Sequence, residues 1–327
     1  MRTLNNFKYE KTEPSLKNAF DIRRKNFSPE MFFFAPTLKK YECEEFAHSN
    51  KPVFVAISLT GSNCTLNCKH CGGTLLESMY WANSPNELLT VVQKLYEKGI
   101  KGLLITGGSC IDGSVPMKPF FPVLKRIKHE MNLKLAAHTG LVDKETASKM
   151  KEVFDIAMLD IIGSKETIRE IYNLDKRPVD FYNSVKYLVK QNIAVVPHIV
   201  VGLHYGEILG EFKAMQNLSH YNLASLVIVI TKKLKGTEFY RLNVKPPSLD
   251  SLKEIFVFAR ETFPKTPLLI GCARPGGRME REIDILAVKS GFNGIAYPSE
   301  EVIAFSKSAG LQPKFSQYCC SFIFQMG

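Results

Sequence analysis

Short apolar runs rich in β-branched residues recur along the chain, each followed by a polar or glycine turn and then by a segment of helical period. Eight runs keep to this rule: Val53 to Leu59, Gly102 to Thr106, Leu133 to His138, Phe154 to Ile162, Ala194 to Val201, Ser225 to Ile230, Pro267 to Cys272 and Asn293 to Tyr297. Between them lie amphipathic stretches such as NELLTVVQKLYEKG, PFFPVLKRIKHEM, DFYNSVKYLVKQN and LDSLKEIFVFARETF, several closing on glycine or asparagine, as at Gly99 and Asn192. The alternation predicts βα units on a parallel sheet. Eight such units predict an α/β fold, a complete (βα)8 barrel over residues 51–310, with its chemistry on the loops at the carboxyl ends of the strands. Residues 1–50 are expected to precede it as a short N-terminal cap. Residues 311–327 are expected to follow as a C-terminal tail folding back on the barrel mouth. Pro197 lies inside the fifth run, where it would remove a ladder donor, so a bulge near the strand end is expected there.

The composition fits this picture. With 327 residues, 45% hydrophobic and 23% charged, the chain is long enough for one barrel and has an ordinary globular make-up, which excludes wholesale disorder and collagen-like architectures. No apolar run approaches the ~18 residues of a membrane span. The start, MRTLNNFKYEKTEPSLKN, has no apolar core of a secretory signal, so a cytoplasmic location is expected. In a reducing compartment the eight cysteines point to metal binding rather than to disulfides. The net charge of +11 favours an anionic partner. Basic residues are not interleaved with aromatic ones, so nucleic acid is not expected, and neither is a membrane.

The first run leads into LTGSNCTLNCKHCGG, which places Cys64, Cys68 and Cys71 at the spacing C-x3-C-x2-C. Three thiolates on one tight loop can hold three irons of a [4Fe–4S] cube and leave the fourth iron open, whereas a structural zinc site is ordinarily closed by a fourth ligand. At the end of the first strand of a βα-repeat chain, this triplet resembles the signature of the radical S-adenosylmethionine superfamily. The resemblance implies that S-adenosylmethionine chelates the open iron and is cleaved by one electron to a 5′-deoxyadenosyl radical. It further implies cofactor contacts from His70, from Gly107, Gly108 and Ser109 after the second run, and from the HIVVGLHYGE segment that contains His198 and Gly202. His138 closes the third run and is a further candidate at the mouth, as are Thr139 and Asp160. The segment ITKKLKGTEF is similar to one in biotin synthase-like members, with Lys233 in place of the usual proline.

Four more cysteines bear on the branch. Cys110 follows the GGS, Cys272 ends the seventh run, and Cys319 and Cys320 lie in the tail. On a barrel they are expected to converge on the mouth as ligands of a second, auxiliary iron–sulfur cluster, with Cys110, Cys272 and Arg274 in catalytic roles. That arrangement is similar to the sulfur-inserting branch, biotin synthase and lipoyl synthase. CARPGGRMEREIDILAVKSGFNGIAYP and the tail QYCCSF resemble a subunit of the two-protein lipoyl synthases found mainly in archaea. The resemblance implies an octanoylated lipoyl-carrier protein or domain as substrate, a second lipoyl synthase subunit, and a low-potential electron donor such as ferredoxin. The rival readings are a radical isomerase, methylase or lyase without sulfur insertion, and a non-catalytic zinc scaffold. The basic segment Lys232 to Lys245 carries Lys232, Lys233, Lys235, Arg241 and Lys245 against Glu238 alone. It is expected on the active face, with Lys232 near the S-adenosylmethionine carboxylate and the rest available to an acidic protein. Arg278 is a candidate beside Cys272, and Cys43 has no assigned role.

Overall fold

A computed structural model of the chain describes residues 13–48 and 51–326. Residues 1–12 and 49–50 of the expected N-terminal cap, and Gly327 of the tail, lie outside the described residues. The strands are β1 (Glu30–Phe34), β2 (Glu42–Cys43), β3 (Phe46–Ala47), β4 (Phe54–Ser58), β5 (Tyr80–Trp81), β6 (Gly102–Thr106), β7 (Lys134–His138), β8 (Ile156–Asp160), β9 (Ala194–Val201), β10 (Leu226–Ile230), β11 (Leu268–Ile270), β12 (Gly294–Ala296) and β13 (Gln312–Ser316). The helices are α1 (Pro14–Asn26), α2 (Pro85–Glu97), α3 (Phe121–Met131), α4 (Lys144–Met150), α5 (Lys165–Glu170), α6 (Pro178–Lys190), α7 (Glu211–Leu218), α8 (Glu238–Arg241), α9 (Leu249–Thr262), α10 (Arg278–Lys289) and α11 (Glu300–Ser308). Helix starts follow local chemistry: the Ser84, Asp143, Ser164 and Ser248 side chains each accept from a backbone N–H in the first turn of α2, α4, α5 and α9.

Each of the eight predicted runs contains a strand, β4 and β6 to β12, and these follow one another in sequence order through a curled parallel sheet. Their closure differs from the expected complete (βα)8 ring. β12 pairs in parallel not with β4 but with β1 from the N-terminal region, and β1 pairs in turn with β13 from the tail. Both flanking regions therefore contribute to the sheet, beyond the expected limits of 51–310. The chain after β1 reaches β4 through a side chain: Thr37 Oγ1 accepts from the N–H groups of Val53 at 2.9 Å and Phe54 at 3.0 Å and donates to the Phe54 carbonyl at 2.8 Å. Pro36, just before it, has no N–H to continue a ladder.

Pro197 is not at a bulge. β8 and β9 run in unbroken register from Ile156↔Ala194 to Asp160↔His198, with Pro197 opposite Leu159. The ladder from β9 to β10 begins at His198, so the missing donor falls just before that pairing starts.

The concave side of the sheet buries Phe34, Phe54, Met158, Val196, Val227 and Leu269 together with Cys320, Phe322 and Ile323 from the tail. The tail's 3-10 helix, Cys320–Gln325, thus fills the interior of the curl. The Phe322 ring meets that of Phe54 at 5.9 Å, and each such fully buried aromatic contributes roughly 1.5–3 kcal/mol. Among the described residues no helix is long and apolar enough to cross a membrane.

Candidate active site

The loop after β4 carries the first three cysteines. A tight turn is closed by the N–H of Cys71 to the Cys68 carbonyl at 3.1 Å and by that of Gly72 to the same carbonyl at 2.7 Å. Asn67, Gly72 and Gly73 all hold positive φ, which lets the chain reverse around the sulfurs. Ligand atoms of Cys68, His70 and Cys71 lie within 4.8 Å of one another. Cys64, on the preceding turn, stands outside that group of ligand atoms, with its Cβ 3.5 Å from where a Cβ on Gly73 would stand. The hydrogen bond from Cys68 and the neighbouring His70 bring the Cys71 thiol down to about 4, so it is poised as a thiolate. The Cys68 thiol is raised by that same bond and by burial. His70 Nδ1 is buried without a hydrogen-bond partner.

Gly107 and Gly108 follow β6, and their role is close packing under this loop. A Cβ on Gly108 would lie 1.9 Å from the Asn63 carbonyl oxygen and 2.6 Å from Cys64 Cα, so only glycine lets the two loops touch. The Gly108 N–H donates to Thr60 Oγ1 at 2.7 Å, and the Ser109 carbonyl accepts from the Thr65 N–H at 2.9 Å. These bonds hold the cysteine loop against β6.

Across the mouth, the ends of β7, β8 and β9 present His138, Asp160 and His198. His138 Nε2 lies 3.6 Å from Asp160 Oδ1, and the Tyr172 hydroxyl donates to Asp160 Oδ2 at 2.9 Å. Against the desolvation of burial, His138 and Tyr172 hold the Asp160 carboxyl well below the usual range, and Asp160 in turn raises His138. His198 is lowered to about 4 by burial and by the charge of His138, 5.4 Å away between ring centroids. Thr139, next to His138, is spent on backbone carbonyls. Tyr172 carries no signal in the hydrophobic pattern, because it lies in an irregular connection after α5. Its ring stacks on His70 at 5.1 Å and its carbonyl accepts from the Cys68 thiol at 3.7 Å, which ties the mouth to the cysteine loop.

The remaining cysteines divide. Cys110 stays on the side of the first loop: its N–H donates to the Ser114 carbonyl at 2.8 Å, and the charges raising its thiol, after burial, are those of Asp112 and Cys64. Cys272, Cys319 and Cys320 share a different neighbourhood around Tyr297, whose hydroxyl is raised by burial and then by the charges of Cys272, Cys319 and Cys320. The bond from Cys320, the Ser321 N–H and hydroxyl, and the charge of His138 lower the Cys319 thiol to about 7 despite burial. Cys43 lies apart on β2, near Tyr41.

Arg274 is not free to meet an anionic ligand. It is buried, pairs with Asp284 at 2.8 Å, and donates to the carbonyls of Ala296 and Tyr297, each at 2.8 Å. Its guanidinium fixes the turn after Cys272, so the expected catalytic role becomes a structural one. Arg278 is exposed and paired with Glu282 at 2.9 Å on α10. Lys232 stands near Lys39, which lies 4.1 Å over the Tyr297 ring beside Cys272. Gly202 holds a φ of +76° at the end of β9, and its N–H donates to buried Glu211 at 2.9 Å. Its part is to turn the backbone. A Cβ there would come within 2.4 Å of Pro247.

A parallel α/β sheet with a thiol loop at the carboxyl edge of its first predicted strand offers a candidate metal site. Residues 58–217 match the family model described as Radical SAM superfamily. Among solved structures, its fold is similar to methylornithine synthase, PylB, at 14% identity and a TM-score of 0.61, over 95% of this chain and 90% of that one. It is also similar to the FeFe-hydrogenase maturase HydG of Carboxydothermus hydrogenoformans, at 15% identity and a TM-score of 0.59, over 94% and 72%. SuiB of Streptococcus suis, bound to S-adenosylmethionine, aligns at 13% identity and a TM-score of 0.52, over 75% and 58%. No curated protein sequence matches the chain. The family implies a [4Fe–4S] cluster and S-adenosylmethionine, and the donors fit: three thiols lie on one loop, Cys68 and Cys71 are already grouped, and Cys71 is inclined to the thiolate.

Proposed function

We propose that this chain is a radical S-adenosylmethionine enzyme that inserts sulfur into a protein-bound octanoyl chain, as a lipoyl synthase subunit. The reading is supported by the shared neighbourhood of Cys272, Cys319 and Cys320, whose charges all act on Tyr297, while Cys319 also acts on His138. Two separate groups of thiols match a reaction in which a carbon is first activated and then bonded to sulfur.

Cys64, Cys68 and Cys71 would hold the first cluster. With S-adenosylmethionine bound, that cluster supplies a one-electron cleavage able to take hydrogen from an unactivated carbon. Cys272, Cys319 and Cys320 would hold an auxiliary iron–sulfur cluster as a source of sulfide. The residues of this chain position and shield. Phe322 and Ile323 fill the interior beneath the mouth and exclude water from below. Tyr172 fixes Asp160, and Asp160 in turn holds His138, whose charge acts on Cys319. Lys39 and Lys232 offer cations to an anionic part of the substrate beside Cys272. The octanoyl substrate, its lipoyl-carrier domain and the second subunit come from the resemblance of the tail and of the segment from Cys272 to Tyr297.

The test is incubation of the reconstituted, reduced protein with S-adenosylmethionine and an octanoylated lipoyl-domain peptide, with and without a partner subunit. A mass gain matching added sulfur is expected. Turnover of S-adenosylmethionine with no sulfur on the peptide under either condition would favour an isomerase, methylase or lyase.

A further inference from the structure

The outer wall of the cysteine loop is built by the segment after β10. The Phe239 N–H donates to the Lys69 carbonyl at 3.2 Å, and a Cβ on Gly72 would lie 3.9 Å from the Thr237 methyl. Lys69 bridges the two, 2.7 Å from the Tyr205 hydroxyl and 3.6 Å from Glu238. Behind this wall runs a short train of rings. Tyr205 stacks on Phe239 at 5.6 Å, and Phe239 meets His70, the neighbour of Cys71, at 6.3 Å. Phe239 is fully buried, whereas Tyr205 is only partly so.

The outside of the same wall is both apolar and basic. Tyr240 and Leu242 are each 52% exposed, and Leu75, three residues past Gly72, is 50% exposed. On the same segment as Tyr240 and Leu242, Lys233, Lys235, Arg241 and Lys245 are exposed, and its one acid, Glu238, is already engaged by Lys69 and Arg241. Lys233 is held upright by a bond to Asn243 at 2.5 Å. Apolar centre and charged rim together are the anatomy of a transient protein interface, and a rim that carries Lys233, Lys235, Arg241 and Lys245 against Glu238 alone selects an acidic partner.

We infer that the face formed by Leu75, Tyr240 and Leu242 with Lys233, Lys235 and Arg241 is the docking surface for a small acidic electron-donor protein, which delivers its electron through this wall to the cluster on Cys64, Cys68 and Cys71. The inference rests on the iron–sulfur reading of that loop. The charge identifies an acidic partner. The direct packing of the wall on the cysteine turn, with rings in between, identifies that partner as the donor rather than the substrate carrier, whose acyl chain must enter at the mouth. One electron passes per encounter: the donor is oxidised by one unit, the cluster reduced by one, and no bond forms between the proteins.

The experiment uses the reconstituted full chain, a reduced [2Fe–2S] ferredoxin of acidic surface as probe, and photoreduced deazaflavin as an uncharged small-molecule reductant. Both the Kd for the ferredoxin and the rate of cluster reduction are measured at low and high salt. The triple variant K233E/K235E/R241E is expected to weaken binding and slow reduction by ferredoxin roughly tenfold or more at low salt, with the deazaflavin rate unchanged. The control K94E/K98E/K101E, of equal charge change at the opposite end of the sheet, is expected to keep most of the wild-type rate. Equal ferredoxin rates and Kd in the wild type and the first variant would overturn the docking face, and so would equal losses in the two variants. A protein that binds no iron on reconstitution would instead overturn the cluster reading, and the inference with it.

Discussion

Tyr172 donates its hydroxyl proton to Asp160 at 2.9 Å while its own carbonyl accepts from the Cys68 thiol at 3.7 Å, so one residue joins the metal loop to the polar mouth. The two bonds come from different parts of the residue and can be separated. Tyr172→Phe keeps the ring on His70 and the carbonyl on Cys68 but leaves Asp160 without its phenol. It should cost about 1–3 kcal/mol in denaturant unfolding, with the iron content of the reconstituted protein unchanged. An unchanged midpoint, or a loss of iron, would show that the phenol is not what this bond implies.

His198 gives the apo chain a pH dependence of known sign. Its folded-state value is about 4, below the ordinary 6.5, so between those limits the unfolded chain binds a proton at His198 that the folded chain refuses. Stability therefore rises with pH from about 4 to 6.5 by up to about 3 kcal/mol from this group. Unfolding of His198→Gln across that window should show a shallower slope. His138 acts oppositely. Its folded value is raised, so its contribution is fully present below 6.5 and is lost as pH climbs from there through its folded value. A wild-type curve already flat from pH 4 to 6.5, and unaltered by the substitution, would refute the burial argument.

Gly108 is where the cysteine loop is most sensitive to one methyl group. Gly108→Ala would put a Cβ 1.9 Å from the Asn63 carbonyl oxygen, so the loop must move and the geometry of Cys64 with it. Iron on the first site should fall well below the about four atoms of a full cube. Gly276, with nothing within 4 Å of where a Cβ would stand and no positive φ, is the matched control, and its alanine variant should stay within about 0.5 kcal/mol and keep its iron. Full iron binding by Gly108→Ala would mean that the close approach is not needed to shape the site.

The division of the outer cysteines is open to a count. The chain should hold about eight irons after reconstitution. Cys272→Ala, Cys319→Ala and Cys320→Ala should each reduce this toward about four, whereas Cys110→Ala, on the first-loop side, should leave the second site intact. Four irons in the wild type, or a loss on changing Cys110 equal to that on changing Cys272, would contradict the two-site arrangement.

The strands that line the site were legible because each is a run of β-branched residues between turn signals, and the cysteine loop because its spacing is local. The two strands that alter the closure were harder to read. Glu30–Phe34 is a short phenylalanine run within a charged N-terminal region, and Gln312–Ser316 carries a proline and a lysine with little apolar pattern. Their places come from pairing with each other and with β12, a long-range fact that no window of sequence contains. Arg274 looked like a ligand for anions because its partner Asp284 is ten residues away on α10. Cys110 and Cys272 looked equivalent because both follow strands, and only the curl of the sheet sends them to different sides.

The central claim is that Cys64, Cys68 and Cys71 together hold the cluster that cleaves S-adenosylmethionine. The most direct measurement is the formation of 5′-deoxyadenosine by anaerobically reconstituted, reduced protein, compared with Cys64→Ala, Cys68→Ala and Cys71→Ala. The wild type should produce it, and each variant should lose both this product and the iron of the first site. Retained cleavage in any one of the three variants would contradict the assignment.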